Sequence, residues 1–327
     1  MTVSIIIAVK TWQRHLEECV AKCLQLDYPD FEIIILPDEI ETVPAGGRGT
    51  CPSERARCLS IIPTGPVGPS EKRDKAVDYA QGEILAFIDD DAYPHTGWLK
   101  HAVKIFEDPQ VAAVGGPAIT PENDNLRQKA SGLVFASVLV SGDFIYRYLA
   151  RKRREVDDYP TCNFLVRKTV MRQLGGFNTK FWPGEDTKLC LEITDFLKKK
   201  IIYDPKVLVY HHRREVFRGH LKQVSSYALH RGYFVKRYPK TSRRAAYFIP
   251  SIFVAGIILG GFFSLFLPAV RWLYLPGLLL YLLLVFIFSL KKDLRLTPLI
   301  FFSIIATHTS YGIYFLKGLF SIKLKEE

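Results

Sequence analysis

Residues 83–91 read EILAFIDDD, an apolar run long enough for one strand that ends in three consecutive carboxylates. A strand without polar alternation is what a parallel sheet covered on both faces requires. Working outward, the same texture recurs in VSIIIAV (3–9), FEIIILPDE (31–39), RCLSIIP (57–63) and VAAVGGP (111–117). Between the first two runs, residues 12–25 carry the spacing of an amphipathic helix. Strands interleaved with helices predict an α/β fold with a mostly parallel sheet and right-handed crossovers. The Gly/Pro-rich stretch TVPAGGRGTCPSERA (42–56) reads as an inserted loop, and no internal repeat is present.

In open sheets of this kind, ligands sit beyond the carboxyl ends of the strands. That rule gathers Ala8, Val9, Asp38, Glu39 and the run Asp89, Asp90, Asp91 around one crevice. Three adjacent carboxylates raise one another's pKa unless a cation compensates them. Mg²⁺ or Mn²⁺ takes such hard oxygen ligands and would neutralise a diphosphate leaving group. A solvated acidic turn capping the next helix accounts for the three acids equally well.

A second feature is LGGFNTKFWPGEDTKLCLEI (174–193), in which a Gly-Gly turn and an aromatic loop lead to Glu185 and Asp186 at the start of a helical pattern. Carboxylates in a first helical turn are ordinary macrodipole partners. At a cleft edge one of them would instead serve as general base toward an acceptor hydroxyl. Phe181 and Trp182 either anchor this loop or stack on an acceptor sugar.

Charge is distributed unevenly over the 327 residues, whose net charge is +11. Residues 206–244 hold eleven basic side chains and a single acid, Glu215. The uncharged runs 245–270, 272–290 and 296–316 come directly after them. A bilayer crossing needs about 20 apolar residues, so the basic band is expected to face anionic headgroups rather than nucleic acid. The organisation expected is a catalytic domain over 1–205, a basic interfacial segment over 206–244 and a transmembrane region over 245–327, with helices at 247–269, 272–290 and 297–316. The positive-inside rule places the band and the catalytic domain on the cytoplasmic side of a cell membrane. Three full crossings would leave Lys317, Lys323 and Lys325 outside, against that rule. Either the third segment does not fully cross or the rule fails here. Thr307, His308, Thr309 and Ser310 within it read as buried bundle contacts. The six cysteines show no zinc spacing and are expected as free thiols, and VSIIIAV is too short for a signal peptide.

Taken together, the order of these motifs resembles the family 2 glycosyltransferases of the GT-A fold, over about residues 1–235. SIIIAVK is similar to that family's first nucleotide-binding strand, and SEKRDKAVDYAQGEILAFIDDD to its Arg-Asn-x-Gly helix and Asp-x-Asp strand. GGF followed by GED is similar to its acceptor-side motif. The resemblance implies donor contacts from Ala8, Val9, Asp38, Arg73, Asp89 and Asp90, with Asp38 at the nucleobase and Arg73 at the ribose or diphosphate. It implies a divalent metal, Mg²⁺ or Mn²⁺, held by Asp89, Asp91 and His211 from VLVYHHRR. Asp186 would be the catalytic base, with Glu185 positioning the acceptor. Asp74 and Ala76 replace the family's Asn and Gly, PDE replaces its paired Asp before Gly-Ser, and KQVSSY (222–227) lacks the Gln-x-x-Arg-Trp of processive synthases.

The resemblance implies a membrane-anchored, inverting enzyme of envelope polysaccharide synthesis. It would move one sugar from a nucleotide-diphosphate donor to a hydroxyl of a lipid-linked glycan. A polyisoprenyl-phosphate sugar synthase, needing no hydroxyl base, is an alternative. A catalytically silent nucleotide-binding membrane scaffold is another, from a different class.

Overall fold

The structure is a computed structural model that describes residues 1–40 and 56–326. The chain clusters into two compact units. Met1–Ile119 and Leu149–His212 belong to the first, Thr120–Tyr148 and Arg213–Lys325 to the second. The boundary therefore differs from a single cut near residue 205, because residues 120–148 fold with the C-terminal helices. The loop expected at 42–56 lies, except for its last residue, outside the described residues.

In the first unit the chain runs β1 (Val3–Ala8), α1 (Arg14–Cys23), β2 (Phe31–Leu36), β3 (Ala56–Ile61), α2 (Pro69–Tyr79), β4 (Ile84–Ile88), β5 (Ala92–Pro94), α3 (Trp98–Ile105), β6 (Val111–Gly115) and β7 (Ala118–Ile119). It then enters the second unit as α4 (Leu126–Phe135) and α5 (Val138–Ser141). Back in the first unit come β8 (Arg154–Val156), β9 (Asn163–Arg167), α6 (Lys168–Leu174), α7 (Glu185–Leu191), β10 (Lys200–Tyr203) and β11 (Val209–His211).

An eight-stranded sheet has the order β3-β2-β1-β4-β9-β6-β10-β8. Its first four strands are parallel, with Ile5 between Ile33 on β2 and Ala86 on β4. The apolar runs behave as their composition dictates: Ile5, Ile33 and Ala86 are fully buried, and helices supply the cover. β9, which the strand pattern does not suggest, inserts antiparallel between β4 and β6. A small second sheet, β5-β11-β7, lies at the end of the aspartate run, with His211 opposite Ala92. Asn163 begins β9 fully buried, donates to the carbonyls of Gly116 (2.6 Å) and Val207 (2.7 Å), and accepts from Trp98 Nε1 (2.8 Å).

The second unit contains α4 and α5 together with α8 (Arg218–Arg237), α9 (Pro239–Ser242), α10 (Ala245–Phe266), α11 (Pro268–Ser289) and α12 (Leu296–Phe320). α4 starts with a capping box, in which the Asn125 side chain accepts from the Arg127 and Gln128 amides and Gln128 accepts from the Asn125 amide. Its apolar face, Ala130 and Val134, packs with Val285, Ile300 and Ile304. α10, α11 and α12 are long and apolar enough to cross a membrane. The segment from α4 to Arg147 also passes that test as a pair bent by 51°. Two histidines hold it, His220 fully buried and His308 half-buried. His220 lies between Ser131 Oγ (2.8 Å) and Thr307 Oγ1 (2.9 Å), and His308 between Tyr281 OH (3.1 Å) and the Leu139 carbonyl (2.9 Å). Thr307 and His308 thus make helix-to-helix contacts.

Candidate active site

The aspartate run comes after β4 at the carboxyl edge of the sheet, and the pairing of β11 with β5 carries His211 back to it. Ligand atoms of Asp89, Asp91 and His211 all lie within 4.8 Å of one another, each residue half-buried. His211 Nε2 stands 3.0 Å from Asp91 Oδ1. Two carboxylate oxygens and one imidazole nitrogen, with solvent access left for further ligands, fit a divalent cation, and the nitrogen suits Mn²⁺ better than Mg²⁺. Asp90 points elsewhere and accepts a hydrogen bond from Gln13 Nε2, just before α1. Its burial, added to the charges of Asp91 and Asp89, pushes its pKa up to about 7.

Arg73, on the buried face of α2, joins this cluster to the second motif. Its Nη2 donates to Asp89 Oδ1 and its Nη1 to Glu185 Oε1, each at 2.9 Å. Burial opposes the guanidinium charge, but Asp89 and Glu185 outweigh it and the pKa is raised. Glu185 is pushed up by burial, partly offset by Arg73, and its Oε2 accepts from the Gly184 amide (3.0 Å). The family resemblance sets Arg73 against the ribose or diphosphate. Each terminal nitrogen gives one of its two N–H bonds to a protein carboxylate. Asp186, the next residue of α7, is half-buried and accepts from the Thr187 amide (2.7 Å).

At the other end of the crevice, Lys72 is the residue that sequence reasoning misses. Its ammonium, 2% exposed, donates to the carbonyls of Val9 (2.7 Å) and Leu36 (3.1 Å) and to Asp38 Oδ1. All three N–H bonds are used, tying the ends of β1 and β2 to Asp38. The Val9 carbonyl is thus held by Lys72 at this edge, and Ala8 is the last residue of β1 before it. A signal does exist: Lys72, Arg73, Ala76 and Val77 occupy one helical face, and two cations on the face that should be apolar call for buried acids.

Asp74 stands where the family places Asn. It accepts from the amides of Phe177 (2.7 Å) and Asn178 (3.1 Å), anchoring the GGF turn to α2. Gly176 there has φ +84°, and a Cβ would come within 2.3 Å of Asp74 Oδ1. Asp158, also absent from the sequence reading, is buried beneath α7 and accepts from Thr187 Oγ1 (3.2 Å). Of the two aromatics ahead of Glu185, Phe181 is buried and Trp182 is 51% exposed. Among the described residues, Cys19, Cys23, Cys162 and Cys190 are free thiols.

A family profile described as Glycosyl transferase family 2 matches residues 4–175, more than half of the chain. This protein belongs to glycosyl transferase family 2. The match covers β1, α2 and the aspartate run and ends at Gly175, the first residue of the Gly-Gly turn, so His211 and α7 lie beyond it.

Among curated members, the pre-mycofactocin glycosyltransferase of Mycobacterium tuberculosis is 28% identical over 160 residues, 49% of this chain and 33% of that protein. Glycosyltransferase AglE of Haloferax volcanii is 24% identical over 205 residues, 59% of this chain and 61% of AglE. The glucosyl-dolichyl phosphate glucuronosyltransferase of the same organism is 24% identical over 152 residues, 44% of this chain and 47% of that protein. The chain thus spans about a third to three fifths of the length of these family 2 relatives. Among solved structures, the mannosyltransferase PcManGT from Pyrobaculum calidifontis, in complex with GDP-Man and Mn²⁺, superposes with a TM-score of 0.56 at 20% identity. It covers 98% of this chain and 88% of its own, which establishes a shared fold.

Proposed function

We propose that this family 2 member is an inverting, metal-dependent glycosyltransferase that moves one sugar from a nucleoside-diphosphate donor to a hydroxyl of a lipid-linked glycan. The observation that carries the reading is the continuous chain Asp91/His211–Asp89–Arg73–Glu185–Asp186. It links a cation-competent cluster to a carboxylate suited to deprotonating an acceptor. A bound divalent cation would neutralise charge on the departing diphosphate. PcManGT, solved with GDP-Man and Mn²⁺, has this fold and supports that donor class.

The chain's own residues supply the rest. Asp38, pinned by Lys72, faces the nucleobase end of the sheet edge. Arg73 holds Asp89 and Glu185 at fixed separation, so the donor and acceptor sides keep their register. Asp186 takes the proton of the acceptor hydroxyl as its oxygen bonds to the anomeric carbon and the bond to the diphosphate breaks. Trp182, exposed ahead of Glu185, offers a stacking surface for an acceptor sugar. The three apolar helices and the basic band at 206–244 anchor the protein in a membrane with its catalytic unit on the cytoplasmic side. A dolichyl-phosphate-linked substrate in one relative's name agrees with a lipid-borne acceptor.

The test is a binding screen of purified protein against UDP, GDP, dTDP and CMP, with and without Mn²⁺. Mn²⁺-dependent binding of one diphosphate, lost in Asp91→Ala, is the expected result. Failure of every nucleotide to bind an intact fold would overturn the donor assignment, and nucleotide binding without transfer or donor hydrolysis under any metal would favour the scaffold reading. Near-normal transfer by Asp186→Asn would favour a polyisoprenyl-phosphate acceptor, which needs no hydroxyl base.

A further inference from the structure

α10 and α11 form an antiparallel hairpin. Tyr274 OH reaches the Ile257 carbonyl at 3.3 Å, and the rings of Phe253 and Tyr281 are 4.4 Å apart. α11 and α12 are antiparallel as well, with Phe286 against Phe301 and Tyr281 against His308. In an up-down-up bundle α12 would run in the direction of α10. The contacts show the reverse. Moving back along α10, Phe253 meets His308, Ser251 Oγ donates to the Gly312 carbonyl (3.0 Å), and Phe248 packs on Phe315 at 4.9 Å. Three helices along one axis cannot all be antiparallel in pairs, so at least one of them departs from that axis.

α12 is that helix, because it does not travel alone. α8 runs beside its second half in the same direction. His220 bonds Thr307, Ser225 bonds Ser310 (2.8 Å), and Lys236 Nζ reaches the Ser321 carbonyl (2.6 Å). The backbones touch: a Cβ on Gly318 would fall 1.9 Å from the Leu229 carbonyl oxygen, and one on Gly232 2.0 Å from that of Phe315. α8 carries Arg218, Lys222, Arg231, Lys236 and Arg237, which a crossing α12 would draw through hydrocarbon at high cost. The far half of the α10–α11 hairpin has no such companion among the described residues and exposes apolar side chains from Ile258 to Leu280, with Arg271 as its one charge.

We propose that α12 lies along the membrane surface together with α8 and the bent α4–α5 segment, so that the chain crosses the bilayer twice, through α10 and α11. This inference rests on the reading that α10 and α11 sit in a bilayer. The partner of the in-plane layer is the anionic headgroup region, met by the exposed α8 cations Arg218, Lys222, Lys236 and Arg237, while α12 presents the exposed Phe302, Ile313 and Phe320 to the acyl boundary. Lys317, Lys323 and Lys325 then stay on the side of the basic band, and the conflict with the charge rule disappears.

Single substitutions Lys240→Cys, Leu267→Cys and Lys323→Cys in the full chain, labelled with an impermeant maleimide in sealed right-side-out and inverted vesicles, test this. The unsubstituted protein sets the background. Lys240→Cys and Lys323→Cys should label from one face and Leu267→Cys from the other. Labelling of Lys323→Cys with Leu267→Cys would overturn the proposal and restore three crossings. All three labelling from one face would overturn the bilayer reading itself. If a variant does not accumulate, antibody access to an epitope after Glu327 in the same vesicles decides between the same outcomes.

Discussion

Arg73 spans two carboxylates that belong to separate motifs, Glu185 at the start of α7 and Asp89 after β4, each over 2.9 Å. Arg73 and Glu185 are both almost wholly buried. Removing the cation would leave Glu185 an uncompensated buried charge, a class of change that costs about 3–5 kcal/mol. Arg73→Met should lower the unfolding free energy of the solubilised protein by that order in a denaturant titration. Arg73→Met combined with Glu185→Gln should recover part of the loss, because the stranded charge is gone.

Lys72→Met tests the nucleobase end. With three hydrogen bonds from one ammonium removed, Asp38 loses its orientation and its counter-charge. A hydrogen bond to a charged group contributes about 1.5–3 kcal/mol, so nucleotide affinity should fall by roughly ten- to a hundredfold. Titration calorimetry with the preferred nucleoside diphosphate reads this directly. An unchanged dissociation constant would remove Asp38 from the donor site.

Gly176→Ala places a methyl against Asp74 in a backbone conformation that L-residues rarely adopt. Strain of this kind costs of order 1–3 kcal/mol. The variant should melt earlier and lose transfer activity through displacement of the turn ahead of Glu185, while nucleotide binding at the Asp38 end changes little.

His220 supplies a pH dependence. Burial, and then the charge of Arg213, lower its pKa to about 4, against about 6.5 in an unfolded chain. A folded pKa below the unfolded one means full stability above pH 6.5, lost progressively as pH falls toward 4. The loss would reach about 3 kcal/mol. Thermal melts between pH 7.5 and 4 should show this slope in the native protein and a shallower one in His220→Gln.

The strands that carry the site can be read directly, since VSIIIAV and EILAFI owe their burial to composition alone, and the carboxylates after them have to stand at one sheet edge. The direction of β9 cannot. NFLVR has only three apolar residues, Phe164 to Val166, between Asn163 and Arg167, and nothing in a five-residue run states whether it pairs parallel or antiparallel. β5, β7 and β11 are two or three residues long, below any periodic signal, although they bring His211 to Asp91. The motif order places Arg73 in the site but not its partners, because ion pairs 16 and 112 residues apart in sequence leave no local mark.

Residues 120–148 leave the catalytic unit after β7, pack α4 against α11 and α12, and return before β8. This excursion decides how the protein can be taken apart. Cutting the chain after His212 would not yield a soluble enzyme, because Ala130, Val134 and their neighbours would lose their covering and become an aggregation surface. A soluble form has to replace 120–148 with a short connector between Ile119 and Leu149 as well. By the same logic, the helical unit is not an appendage of the chain's end alone: residues 120–148 supply part of it from within the stretch of sequence that builds the catalytic unit.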